Sequence, residues 1–237
     1  MIVRPVRDAV QLITQPDHAH LARALMEHCV PLATSRRRAA ILHAIGEHDN
    51  GWAEDDAAPI VNPETGGVAD FVTVPLSRRH AVWPRGVARL AADPWAAALV
   101  AQHALTVYDR FRPEAEWTSF FADMEAARGQ MLGASGLSLD DLLADYPYVR
   151  LADLISLTFC TGWTDEQRFG VWTVHLSGAR VIVTPDAFGG ATIPFEIEAR
   201  EIGRQRFRSD AELRHALGEA TTTTLRGEVT ASQGPRP

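Results

Sequence analysis

Apolar residues recur at helical spacing through most of the first 160 positions and change to alternation beyond about residue 170. The opening stretch, Met1 to Thr14, alternates through Ile2, Val3, Val6, Val10 and Leu12, which predicts a short strand pair or an extended arm. A first helix follows Pro16, with Leu21, Ala24, Leu25 and His28 along one face. Ser35 is placed to cap a second helix, residues 36–50, which Gly51 closes. Residues 53–75 hold Pro59, Pro63, Gly66, Gly67 and Pro75 and read as a long loop, a candidate lid. A third helix is expected over residues 77–92, kinked at Pro84 or starting there. A fourth starts at Pro94 and runs to Phe111, and a fifth covers residues 114–131. Ser138 with Asp141 forms a capping-box pattern for a short sixth, and a seventh spans residues 149–160.

Strands are expected at residues 171–176, 180–184 and 194–202, and a last helix after Ser209 and Glu212, to Gly218. The stretch from Ala220 to Pro237 is rich in Thr, Ser, Gly and Pro and reads as frayed. The expected fold class is therefore mainly α. A helical domain over residues 1–165 would carry a small β/α appendage, residues 166–222, packed on it, with a flexible tail at 223–237.

Composition narrows the function classes. Hydrophobic residues make up 46% and charged residues 22% of the 237 positions, ordinary globular usage. The net charge of −7 argues against a binder of nucleic-acid polymers, although a small nucleotide remains open because a local site can differ in sign from the whole. All 23 basic residues are arginines, so neither a Schiff-base lysine nor a Walker lysine is available. Two cysteines, Cys29 and Cys160, lack CxxC spacing and exclude a zinc ribbon or a disulfide framework. No stretch has signal-peptide or membrane-span character, so a cytoplasmic protein without membrane contact is expected. The late strands could pair within the chain or across a homodimer.

The candidate chemistry lies on the helices. Ile41, Leu42, Ile45, His48 and Asp49 share one stripe, so a His and an Asp fall on the buried side of an apolar helix. An unpaired buried carboxylate is costly, and a divalent cation partnered by imidazole removes that cost. The plain alternative is that Asp49 caps a turn while His48 packs above it. Three more residues tilt the balance. His18 lies with Leu21 and Leu25, His103 between Leu99 and Val107, and Asp153 with Leu157 and Cys160, each on an apolar face of a different helix. Imidazoles and carboxylates converging among helices suit iron, manganese or zinc.

This order resembles the HD superfamily of metal-dependent enzymes, named for its His-Asp pair. The resemblance implies an HD-type helical bundle with metal ligands His18, His48, Asp49 and Asp153, and His80 and His103 as two further ligands if two ions bind. The local wording is closest to the mixed-valent di-iron oxygenases: Thr14-Gln15 ahead of His18, Tyr108 five residues after His103, and Arg150 three before Asp153. Ser156 stands where those relatives often carry a substrate-binding Lys. The whole chain, through ITQPDHAHLA, EHDNGW and LADLISL, also resembles an uncharacterised bacterial family, domain of unknown function 3891.

Three functions follow from the resemblance. The first is a non-haem di-iron oxygenase acting on a small polar molecule, with His48 and Asp49 at its catalytic centre and Asp49 bridging. The second is a metal-dependent phosphohydrolase acting on a phosphate ester or nucleotide. The third is a binding module without catalysis. An anionic substrate would rely on Arg78, Arg79 or Arg85, which otherwise read as solvated helix surface. Trp52 could wall a pocket or fill the core.

Overall fold

The computed structural model describes residues 1–232. About 51% of the chain is helical, and 20% forms a curled, mixed sheet of seven strands, a half-barrel. This overturns the expected fold class, a helical bundle carrying a small β appendage.

The expected N-terminal strand pair is present as β1 (Ile2–Pro5) and β2 (Ala9–Ile13). The long helices are α1 (Gln15–Met26), α3 (Arg38–Glu47), α5 (Leu76–Arg89), α6 (Pro94–Val107), α7 (Thr118–Ser135) and α8 (Leu139–Thr161). Two short ones, α2 (Val30–Ala33) and α4 (Ala53–Ala57), lie in the connections. The C-terminal third forms β3 (Gln167–Phe169), β4 (Trp172–Ser177), β5 (Arg180–Thr184), β6 (Ile193–Gly203), α9 (Asp210–Gly218) and β7 (Thr221–Ala231). No helix of the described residues is long and apolar enough to cross a membrane.

Local chemistry explains the helix starts. The Thr14 side chain accepts from the Asp17 amide ahead of α1, and Asp93 accepts from Ala96 ahead of α6, whose first residue is Pro94. The Ser138–Asp141 capping box is formed, but it opens one helix of 23 residues instead of two short ones. Pro147 deprives the Leu143 carbonyl of its helical donor. Leu143 is exposed, so water can serve that carbonyl and the helix runs on.

The strand order is β1-β2-β6-β7-β5-β4-β3. All neighbours are antiparallel except β5 and β7, which run parallel. β1 and β2 therefore share a sheet with strands from beyond residue 166. The expected flexible tail is corrected too: Thr221–Ala231 is an 11-residue strand between β6 and β5. The rest of that tail, residues 233–237, lies outside the described residues.

The sheet curls around the C-terminal half of α8, which packs on β1, β3, β4 and β5. A Cβ at Gly227 of β7 would meet the Phe159 ring of α8 at 2.6 Å and the Phe195 ring at 2.7 Å, so glycine is what permits this close approach. One core joins the two layers: Leu99, Leu142, Ile155 and Phe159 are continuous with Val174, Val181, Ile197 and Val229. A second, smaller cluster lets α9 (Leu213, Leu217) cover Leu12 and Ile202. The helices that carry the candidate ligands are thereby clamped by strands from both ends of the chain.

Candidate metal centre

Five of the six expected ligands meet at one place. His18 comes from α1, His48 and Asp49 from the end of α3, His103 from α6 and Asp153 from α8. All five are buried, His18 fully and Asp49 at 7% exposure. His48 ends α3, and a single helical turn at Asn50–Trp52 follows Asp49. The chain can turn there because Gly51 lies against α5, where any Cβ would stand 1.9 Å from the Val82 carbonyl oxygen.

The donor atoms fall at ligand spacing. His18 Nε2 is 2.8 Å from Asp49 Oδ2, and His48 Nε2 is 3.7 Å from the same oxygen and 3.6 Å from Asp153 Oδ1. His103 Nε2 is 3.6 Å from Asp153 Oδ2. Donors about 2.1 Å from one ion lie about 3.0–3.4 Å apart at right-angled or tetrahedral geometry, so a small contraction around a cation suffices. His48 belongs to both His/Asp groups, and its Nε2 has one lone pair. The two groups therefore describe overlapping faces of one site.

Neighbouring residues fix the imidazoles. His48 Nδ1 donates to the Ile45 carbonyl at 2.7 Å, which leaves Nε2 facing the cluster with no hydrogen-bond partner. His18 Nδ1 lies 2.9 Å from Ser156 Oγ, and His103 Nδ1 lies 3.1 Å from the Tyr146 hydroxyl. Arg150 donates to Asp153. Four of the five candidate ligands thus have a residue outside the cluster holding them, as metal-binding imidazoles and carboxylates generally do.

The electrostatics favour a cation. Burial opposes charge on His48, but Asp49 and Asp153 outweigh it and raise the imidazole to about 9. Burial likewise works against Asp153, yet Arg150, His48 and His103 hold it well below the usual carboxylate range. Asp49 is lowered against its own burial by His48 and His18. His103 goes the other way: burial lowers it to about 3, so it is a neutral, lone-pair donor. The donor set thus fits a divalent ion, with His48 Nε2 as the buried atom that lacks any other partner.

His80 does not join the cluster. Its ring packs against Trp117 and Phe120, with centroids 4.6 and 5.2 Å away. α5 instead presents Trp83 to the cluster, edge-on to His103. On α3, His43 pairs with Asp93 at 2.8 Å.

The cluster floors a cavity of about 390 Å³ that reaches Asp49, His103 and Asp153. Trp52 is both buried and part of the wall, joined by Phe71, Trp83, Tyr108 and Trp163. Phe71 and Val72 belong to the segment expected as a lid. Of the three arginines considered for an anion, Arg78 and Arg85 pair with Asp55, and Arg79 alone reaches the cavity. Arg110 and Arg150 reach it as well.

Sequence reasoning passed over Tyr146, Ser156 and Trp83. Tyr146 carried a legible signal, since it stands seven residues before Asp153 and so on the same face of α8. Ser156 was noted only for the Lys it replaces, whereas here it is fully buried beside His18.

Residues 1–206 match the family described as "Protein of unknown function (DUF3891)". No curated protein and no solved structure matches the chain.

Proposed function

The chain belongs to the DUF3891 family, and we propose that it is a metal-dependent phosphohydrolase with an HD-type ligand set, acting on a small phosphate ester. The observation that carries this reading is a cluster of His18, His48, Asp49, His103 and Asp153, of which Asp49, His103 and Asp153 line a cavity that also holds Arg150. Those five residues would hold a divalent ion such as manganese, iron or zinc, which would supply Lewis acidity toward a phosphoryl oxygen and lower the pKa of a nucleophilic water.

The protein's own groups do the rest. Arg150 presents a fixed positive charge beside Asp153, where a phosphoryl group would enter. Neutral His103, held by Tyr146, keeps its lone pair toward the centre. Trp52, Trp83 and Tyr108 exclude bulk water from the floor and strengthen every charge interaction there. The di-iron oxygenase reading loses support because His80, needed for a second ion, sits among aromatic rings. Iron in a single-ion oxygenase remains the second reading, favoured by the three-imidazole, two-carboxylate donor set.

The test is anaerobic purification with metal analysis, followed by phosphate release from a panel of phosphate monoesters and by oxygen consumption. About one ion per chain and metal-dependent phosphate release are expected. Oxygen uptake without phosphate release would move the second reading to first place. Equal metal content in the wild type and His48→Ala would end both.

A further inference from the structure

We propose that the substrate carries a second oxyanion group, held at the far side of the cavity by Arg79 and Arg110, a clamp whose two guanidiniums both lie beside the Phe111 ring. This extends the proposed reaction and rests on it for the placement of the first phosphoryl group.

The two guanidiniums share one aromatic surface. The Arg110 guanidinium carbon is 4.6 Å from the Phe111 ring centroid, and that of Arg79 is 5.7 Å from it and 5.3 Å from the Trp117 ring. Phe111 and Trp117 are themselves stacked at 4.7 Å with 5° between their planes. An aromatic neighbour attracts a guanidinium without using up its N–H donors, which remain available to a planar or tetrahedral oxyanion.

Neither charge is matched. Among the described residues no carboxylate lies within 4.0 Å of the Arg79 or Arg110 guanidinium. On α5 the other three arginines are all paired, Arg78 with Asp55, Arg85 with Asp55 and Glu54, and Arg89 with Glu54. Arg79 Nε is buried with no hydrogen-bond partner at all. Two like charges beside one phenyl ring repel each other, and a bound oxyanion relieves that repulsion.

The position sets the ligand's shape. Arg79, Arg110 and Phe111 line the same cavity as Asp49, His103 and Asp153, and Tyr108 and Trp83 stand in the wall between. Arg150 already serves the metal end through Asp153. A ligand spanning the cavity would therefore have a phosphoryl group at the floor, an apolar or planar middle against the aromatic wall, and a second oxyanion at the clamp.

The test measures calorimetric affinity for alkylphosphonates of graded length that end in methyl, carboxylate or phosphonate, using the full chain with and without manganese. For at least one length the anionic end should bind about tenfold or more tighter than the methyl end, the gain expected of charge-assisted hydrogen bonds. Arg110→Gln, on an exposed turn, and Arg79→Gln should each erase most of that preference and leave the methyl-ended affinity unchanged. A preference that persists without manganese supports the clamp even if manganese adds nothing, which is how failure of the hydrolase reading would appear. Equal affinity for all three ends at every length, or a preference that survives in both variants, overturns the clamp.

Discussion

The Trp83 indole meets the His103 imidazole with ring centroids 5.6 Å apart and an interplanar angle of 61°. This contact gives the cluster Trp83 from α5, while His80, one turn earlier, packs its ring against Trp117 and Phe120. His80→Ala should therefore keep the wild-type metal content and hold metal affinity within about twofold, whereas His103→Ala should weaken it by about 100-fold or more. Metal analysis after dialysis against a chelator checks both, and a lost ion in His80→Ala would contradict the placement of that ring.

The hydroxyl of Tyr146 is the partner that orients His103. Tyr146→Phe keeps the ring that packs against Phe169 and removes only that partner. Metal affinity should drop roughly tenfold, while stability changes by only about 1 kcal/mol. Comparable metal affinity in variant and wild type would show that packing alone orients the imidazole.

Two histidines make the metal-free protein sensitive to pH in opposite directions. His48 is raised to about 9 in the folded state, by its two carboxylates against burial, so its contribution is complete below the unfolded value and is lost as pH rises toward 9. His103 is lowered to about 3 by burial, so its contribution is present above the unfolded value and is lost as pH falls. Thermal melting of metal-free protein should peak near pH 6.5, the ordinary histidine value, at about the point where neither loss has begun. Metal binding must displace the His48 proton, so affinity should rise about tenfold per unit between roughly pH 7 and 9. A flat affinity over that range would rule out His48 as a ligand.

Gly51→Ala forces a methyl group onto the Val82 carbonyl. Either the turn after Asp49 or α5 must move, with a loss on the order of 3 kcal/mol in urea unfolding. Metal affinity should fall in parallel, since that turn carries Asp49. Wild-type stability in this variant would mean the two backbones can separate freely.

Deleting residues 221–237 removes β7 from between β6 and β5. Ile197 and Val181 would lose Leu225 and Val229 as strand partners, and Phe159 would lose its cover. The truncated chain should fail to give a cooperative melt. A truncated chain that still melts cooperatively and binds metal would restore the view of this segment as dispensable.

The candidate ligands were legible because helical period decides burial: His18, His48, His103 and Asp153 each fall among apolar residues at i±3 or i±4. His80 falls outside the cluster because its helix, α5, is positioned by the close approach of the Gly51 turn to Val82 and Gly86, which no periodicity reveals. β7 was hidden for a different reason. Its Thr221–Thr224 run and Gly227 have weak alternation, and they form a strand because β5 and β6 offer edges on both sides. The single long α8 was obscured by Pro147, whose effect depends on whether the carbonyl four residues earlier reaches water.

The strand order has a consequence for the newly made chain. α8 delivers Asp153, yet the sheet that cradles α8 closes only when β7, the last described element, enters between two strands already translated. Because β7 pairs with β5 and β6, and β6 with β2, the final closure joins segments from both ends of the sequence. On the ribosome the candidate ligand helices would emerge first and wait, their histidines unclamped, until β7 has emerged. An ion would then be captured only once β7 has entered the sheet, not as each ligand helix forms.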